Sequence, residues 1–406
     1  MKIIQGGVTA PSGFLAGAGR GGIRKSGRDV AIVISRRLCN AAAVFTSNSL
    51  KAAPVVVTSR KLADAKGRIN GVVVNSGNAN ALTGNEGVRN AERMCIYAAG
   101  KLGLQPERIV VCSTGIIGRK MPMKKVYRGI ESASSSMSSS LAAGTAAAEA
   151  ILTTDSHRKE IAVEQILEDG RRIRIGGMTK GSGMIAPCLK GLHATTLTFI
   201  TTDAPVTRRY LQSCLERFAD STFNMISVDG DQSTNDTILL LSNGSCGGPP
   251  ISKDRRFEEA LEFVMAQLAK LVVMDGEGAT HLIEVEVTGA ADVEDARKAA
   301  KSVISSNLLK CAVFGGDPNV GRIASALGNS GVQIDFSKLD VWLGSSRRCK
   351  IISKGLVSGN LRKASELMRE KVVRITVSLG DGEARAIGMG CDLSYDYVRV
   401  NSAYST

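Results

Sequence analysis

The chain has 406 residues, 43% hydrophobic and 22% charged, a balance close to that of ordinary folded proteins and a length that allows two domains of common size. No stretch reaches the roughly 18 uninterrupted apolar residues of a membrane span, and Met1-Lys-Ile-Ile-Gln-Gly-Gly lacks the apolar run of a secretion signal, so the expectation is a cytoplasmic protein without a membrane partner. The net charge of +14 is spread along the chain rather than striped, and one Trp, six Tyr and nine Phe leave little for base stacking; this argues against nucleic acid and for an anionic small substrate.

From the N-terminus, the β-branched runs 30–35, 43–46, 54–58 and 71–75 read as short strands between glycine-rich turns. Gly17-Ala-Gly-Arg-Gly-Gly22 has the letters of a dinucleotide fingerprint but precedes the first good strand, so a flexible loop is expected there. Asn75-Ser-Gly-Asn-Ala-Asn80 is a polar turn directly after a buried-looking strand, a common place for binding groups. Val88, Ala91, Cys95, Ala98 and Leu102 recur at three and four, predicting a helix that Gly103 ends. A buried strand at 108–112 then runs into Ser113-Thr-Gly-Ile-Ile-Gly118. Its glycines allow backbone N–H groups to converge as an oxyanion hole, or form a tight turn and nothing more.

The Ser/Ala-rich stretch 132–150 fits either a linker or a helix and ends in the hydroxyl cluster Thr153-Thr154-Asp155. A hairpin-like pair, 161–163 and 172–175, leads to Lys180-Gly-Ser-Gly-Met-Ile-Ala-Pro187. This loop runs on to Ala194-Thr195, where Thr195 opens an alternating strand ending at Asp203. Scission between Ala194 and Thr195 would give Thr195 a hydroxyl nucleophile and a free α-amine that titrates near roughly pH 8 and can act as its base. His193 is expected to be exposed rather than catalytic. Asp203-Ala-Pro205 is expected to cap and start a helix with Val206, Tyr210, Cys214 and Phe218 inward.

Asn224 to Leu240 has the alternating oxygens of a calcium loop without its sixth-position glycine or twelfth-position glutamate, and Gly316 to Arg322 departs from a P-loop at the Lys and the Ser/Thr. Neither is read as a site. Residues 257–272 predict an amphipathic helix before the turn Asp275-Gly-Glu-Gly278; strands at 373–377 and 385–387 precede a C-terminus expected to be docked, with a frayed end as the alternative. Nine scattered cysteines without a Cys-x-x-Cys spacing point to reduced thiols, with no metal site and no cofactor expected.

Together these segments resemble the ornithine acetyltransferases, glutamate N-acetyltransferases of arginine biosynthesis. The resemblance runs over nearly the whole chain: 44–54, 74–80, Ser113–Gly118, Lys180–Pro187, Ala194-Thr195, Phe199–Ala204, Val228–Thr237, Asp275–Thr280 and Gly390–Tyr397, in the family's order. It implies a precursor that cleaves itself into an N-terminal chain, 1–194, and a C-terminal chain, 195–406. Thr195 is then the nucleophile, Thr114 and Gly115 the oxyanion hole, and Thr153 or Thr154, Lys180, Thr195, Glu277, Asn401 and Thr406 the substrate-binding positions. Independently of the family, a lysine suits a substrate carboxylate and a glutamate its ammonium.

The implied reaction is ping-pong transfer of acetyl from N-acetylornithine to glutamate, with acetyl-CoA open as a second donor, by a heterotetramer of two chains of each kind. In one departure from the family, Cys188 to His193 stand where a pair such as Asn-Met is usual. An N-terminal-nucleophile amidohydrolase or aminopeptidase is the competing reading. Alternating strands and amphipathic helices predict an α/β fold with mixed sheets layered against helices; the two-domain αββα-type sandwich is implied by the resemblance.

Overall fold

Continuous apolar runs in the first part of the chain and period-two alternation in the last part produce two different sheets. The computed structural model describes residues 1–186 and 196–403. Strands β1 (Lys2–Ile4), β2 (Phe14–Gly19), β3 (Val30–Phe45), β4 (Arg68–Asn75), β5 (Ile109–Ser113), β6 (Lys159–Ile166), β7 (Arg172–Lys180) and β8 (Leu197–Thr202) belong to a nine-stranded sheet. β9 (Ile226–Ser227) lies apart, and β10 (Thr237–Ser242) completes the nine in the order β1-β6-β7-β8-β10-β3-β4-β5, with β2 also on β3. β4, β5, β8 and β10 are buried almost throughout, as expected of strands covered on both faces.

The covering helices are α1 (Ala53–Asp64), α2 (Gly84–Leu102), α3 (Met123–Ser135), α4 (Leu141–Ala150), α5 (Arg208–Ser221) and α6 (Arg255–Met274). Strands β11 (Leu282–Ala290), β12 (Asp340–Leu343), β13 (Cys349–Ser353), β14 (Leu356–Val357), β15 (Val372–Ser378) and β16 (Ala384–Cys391) form the second sheet with β9, in the order β14-β13-β12-β15-β11-β16-β9. Helices α7 (Val293–Ile304), α8 (Asn307–Gly315), α9 (Val320–Gly328) and α10 (Leu361–Met368) close its apolar face, and α11 (Tyr395–Ala403) ends the described chain. Helix α6 packs on β6 and β7 of the first sheet and on β9 and β16 of the second, so one core cluster runs from Val163 through Leu268 to Leu282 and Cys391. This is the mixed-sheet α/β architecture that the sequence predicts. The helix ending at Gly103 is also as expected, with Gly103 left-handed at φ 66°.

Four local expectations are corrected. Residues 54–58 are the first turns of α1, not a strand: Pro54 sits in its first turn, and Val55, Thr58 and Leu62 turn inward at helical spacing, overriding the weak strand preference of a β-branched run. Gly17 and Gly19 lie within β2 rather than a loop. Helix α3 presses so close that an added Cβ would overlap the carbonyls of Ala133 and Gly129, so packing, not flexibility, requires glycine. Asp203 caps no helix; α5 starts at Arg208, while Asp203 accepts the Ser12 and Arg174 N–H groups at 3.1 and 2.7 Å. The two runs 30–35 and 43–46 are one strand, β3.

The stretch 132–150 is helical, broken at 136–140, where the Ser140 hydroxyl caps α4 at 3.2 Å from the Ala143 N–H. Gly316 and Asn319 merely end α8 and cap α9. The eight described cysteines are free thiols, and burial pushes Cys39, Cys95 and Cys112 up to about 12.

Candidate active site

The C-terminal ends of β4, β5 and β7 and the start of β8 open on one cavity of about 270 Å³. Thr114, Gly115, Thr153, Thr154, Lys180, Glu277 and Asn401 all line it, so every described residue that the sequence singled out for chemistry is gathered in one place. Ala194, Thr195, His193 and Thr406 lie outside the described residues. Thr196, the first described residue beyond that segment, is part of the lining, as are Asn235 and Asp236, which sequence reasoning did not single out.

One wall is neutral and built from backbone. Thr114 N–H donates to the Asn75 carbonyl at 3.0 Å, Ala79 N–H to the Ile116 carbonyl at 3.0 Å, and Asn235 Nδ2 to the carbonyls of both Ala79 and Ser113 at 2.6 and 2.8 Å. The Asn75–Asn80 turn is therefore stitched to the Ser113–Gly118 turn, with Asn78 Nδ2 reaching the Arg119 and Lys120 carbonyls at 3.2 Å. Gly115 has φ 129°, and a Cβ there would overlap the backbone of Gly77 and Asn78; the position accepts only glycine at this separation.

The facing wall is charged and largely sealed from water. Asp155 accepts Lys159 Nζ at 2.7 Å, the Gly181 N–H at 2.7 Å and the Thr153 N–H at 3.0 Å, and lies 3.9 Å from Lys180 Nζ. Lys159 Nζ is shared with Asp275 at 2.5 Å, and the Asp275 carbonyl accepts Ser182 Oγ at 2.6 Å. Burial by itself would raise the Asp155 carboxyl, but Lys180 and Lys159 outweigh it and hold it well below the usual carboxylate range. Burial pushes the Lys180 ammonium down, Asp155 opposes the shift, and Lys159 adds to it.

Also in the lining, the Glu277 carboxylate accepts Asn401 Nδ2 at 2.9 Å and lies against Gly183, where any side chain would collide with it. Its own N–H holds the Ser182 carbonyl at 3.0 Å. The loop that carries the chain toward residue 187 is fixed from a third direction: Asp229 accepts the N–H groups of Met184 and Ile185 at 2.6 and 2.8 Å, with Met184 at φ 57°. The span read against a calcium loop thus ties down backbone.

Among the described residues no group of three His, Cys, Asp or Glu side chains is placed to hold a metal, and no histidine lines the cavity. A cavity with a convergent backbone turn on one side and buried charges of both signs on the other suits an acyl-transfer enzyme acting on a zwitterionic substrate.

Comparison with known proteins agrees. The family model described as ArgJ family matches residues 15–406, so the chain belongs to the ArgJ family. It is 46% identical over 413 residues to the arginine biosynthesis bifunctional protein ArgJ of Symbiobacterium thermophilum, covering 100% of both chains. It is 43% identical over 419 residues to the glutamate N-acetyltransferase of Methanocaldococcus jannaschii, again covering 100% of both. Among solved structures it is similar to the ArgJ protein of Bacillus halodurans, at 37% identity and a TM-score of 0.47, over 50% of this chain and 97% of that one.

Proposed function

We propose that this protein is a glutamate N-acetyltransferase that moves acetyl from N-acetylornithine to glutamate through an acetyl-threonine at Thr195. The observation that carries the reading is that Lys180 and Glu277 line the same cavity as the Thr114–Gly115 turn, in a chain 43% identical along its whole length to a glutamate N-acetyltransferase.

In this reading the bond between Ala194 and Thr195 is cut, leaving chains 1–194 and 195–406. The freed Thr195 amine takes the Thr195 hydroxyl proton as the oxygen attacks the acetyl carbonyl, and the Gly115 N–H and the Thr114 hydroxyl receive the developing oxyanion, the Thr114 N–H being held by the Asn75 carbonyl. The C–N bond breaks, the proton passes to the departing ornithine amine, and glutamate then attacks the ester to regain the free hydroxyl. Lys180 holds the substrate carboxylate. Glu277, oriented by Asn401, holds the free side-chain ammonium of acetylornithine, whose α-nitrogen carries the acetyl group, and Thr406 closes the same end.

Both Thr153 and Thr154 reach the cavity. The Thr153 hydroxyl lies 3.5 Å from Asp155, whereas the Thr154 hydroxyl has no partner among the described residues, which favours Thr154 for substrate contact. The relatives named bifunctional support acetyl-CoA as a second donor. A cytoplasmic heterotetramer of two chains of each kind completes the proposal.

The test follows labelled acetyl from N-acetylornithine. Label in N-acetylglutamate only when glutamate is present supports transfer; glutamate-independent release of acetate would make the protein a hydrolase of the N-terminal-nucleophile kind. Intact mass should give two polypeptides for the wild type and one for Thr195→Ala, which should also have no exchange activity.

A further inference from the structure

We infer that Asp155 and Lys159 form a charge-balancing pair that sets the position and the protonation of Lys180, making both of them positioning residues for whatever anion the cavity accepts. The inference rests on the acetyl-transfer reading only for the identity of that anion.

The geometry carries it. Asp155 reaches three separate parts of the wall with one carboxylate: the Thr153 N–H at the end of the segment after α4, the Gly181 N–H at the end of β7, and the Lys180 ammonium between them. Its side chain is 0% exposed and that of Lys159 1%, so neither can exchange its partner for water. Lys159 passes the linkage on to Asp275, which leads through Gly276 into Glu277, another residue of the cavity lining. The buried set is therefore two ammoniums and two carboxylates in contact, and Lys180 is the one member that faces the cavity.

The other charges that act on Lys180 are Asp236 and Glu277, both in the lining, which favour its ammonium form. Asp155 attracts the Lys180 proton and Lys159 repels it. Removing either changes the charge that Lys180 feels in opposite directions, and removing both returns it toward balance. A network that merely held the wall together would have no such sign.

The sign is measurable. In intact, folded protein, the titration of Lys180 is read by competitive labelling with dinitrofluorobenzene across pH, followed by peptide mass spectrometry, and in parallel from the alkaline limb of kcat/KM for glutamate. Asp155→Asn should move the Lys180 titration and that limb about one to three pH units down, raising KM for glutamate more than it lowers kcat. Lys159→Met, which keeps the apolar stem, should move both upward, and the double variant should fall between the two singles. Where a single variant does not fold, the double variant against the wild type and Asp155→Glu supplies the comparison; Asp155→Glu, which keeps the charge, should leave the titration near the wild-type position. Equal loss of activity at every pH, with Lys180 titrating unchanged, would overturn the inference. The proposed function fails separately, if the wild type transfers no acetyl to glutamate while the labelling shifts are still seen.

Discussion

The two walls of the cavity reach the same rigidity by opposite means. The Thr114 wall is held by amide-to-carbonyl hydrogen bonds between neutral groups and by a glycine with no room for a side chain. The Lys180 wall is held by four formal charges taken out of water, each tolerable only while its partners stay charged. The first is sensitive to volume and indifferent to proton concentration; the second is sensitive to charge. In the proposed reaction, where the Thr114–Gly115 turn receives the oxyanion and Lys180 the substrate carboxylate, the site gains from both, because neither wall needs to move when charge develops on the other.

Four outcomes sharpen that contrast, in falling order of effect. Lys159→Met leaves Asp155 and Asp275 facing each other without the shared ammonium and should cost about 3–5 kcal/mol of stability by urea unfolding, with part of it regained in the double variant with Asp155→Asn. Gly115→Ala strikes the neutral wall by volume. It should lower kcat by about a hundredfold or more with an unchanged pH profile, and a shifted profile would show that the walls are not independent. Asn235→Ala removes the two bonds its amide makes to the turns, leaves the Ala79 and Ser113 carbonyls without them, and should cost about 1–3 kcal/mol, read from the same unfolding curves. Arg60→Ala serves as the surface reference: its pair with Glu92 is 51% and 36% exposed, and its loss should stay below about 1 kcal/mol.

The charged wall also fixes a direction with pH. The Asp155 carboxyl is held below its unfolded value, so its contribution to stability is complete above about pH 4 and is lost as the pH falls from there toward the folded value. The urea midpoint should therefore decline through that acid range, and Asp155→Asn should flatten the decline. A decline of the same size in the variant would place its source elsewhere.

Much of this arrangement could be read from the chain. The helix closed by Gly103, the buried strand before Ser113 and the amphipathic pattern of α6 follow from periodicity and punctuation, and the described site positions carried by resemblance all reach one cavity. What could not be read has a common cause. Val55, Val56 and Val57 look like a strand because β5, on which their helix packs and whose Val111 carbonyl accepts Thr58 Oγ1 at 2.6 Å, is about 50 residues away. The glycines of β2 look like a loop because helix α3, which needs their bareness, comes more than a hundred residues later. Lys159 resembles any surface lysine, since only the fold reveals that Asp155 and Asp275 enclose it. Spacing along a chain records local geometry well and distant burial poorly.

The strand order has a last consequence. β8 and β10, which follow the Lys180 loop, are inserted between β7 and β3, which precede it; β8 pairs with β7 from Leu197 to Thr202, and β10 with β3 from Thr237 to Ser242. Were the polypeptide severed anywhere between Lys180 and Thr196, its halves would stay interleaved like fingers of clasped hands. Dilution could not part them, an affinity tag on one would retrieve the other, and only a denaturant strong enough to dissolve the middle of the sheet would release either.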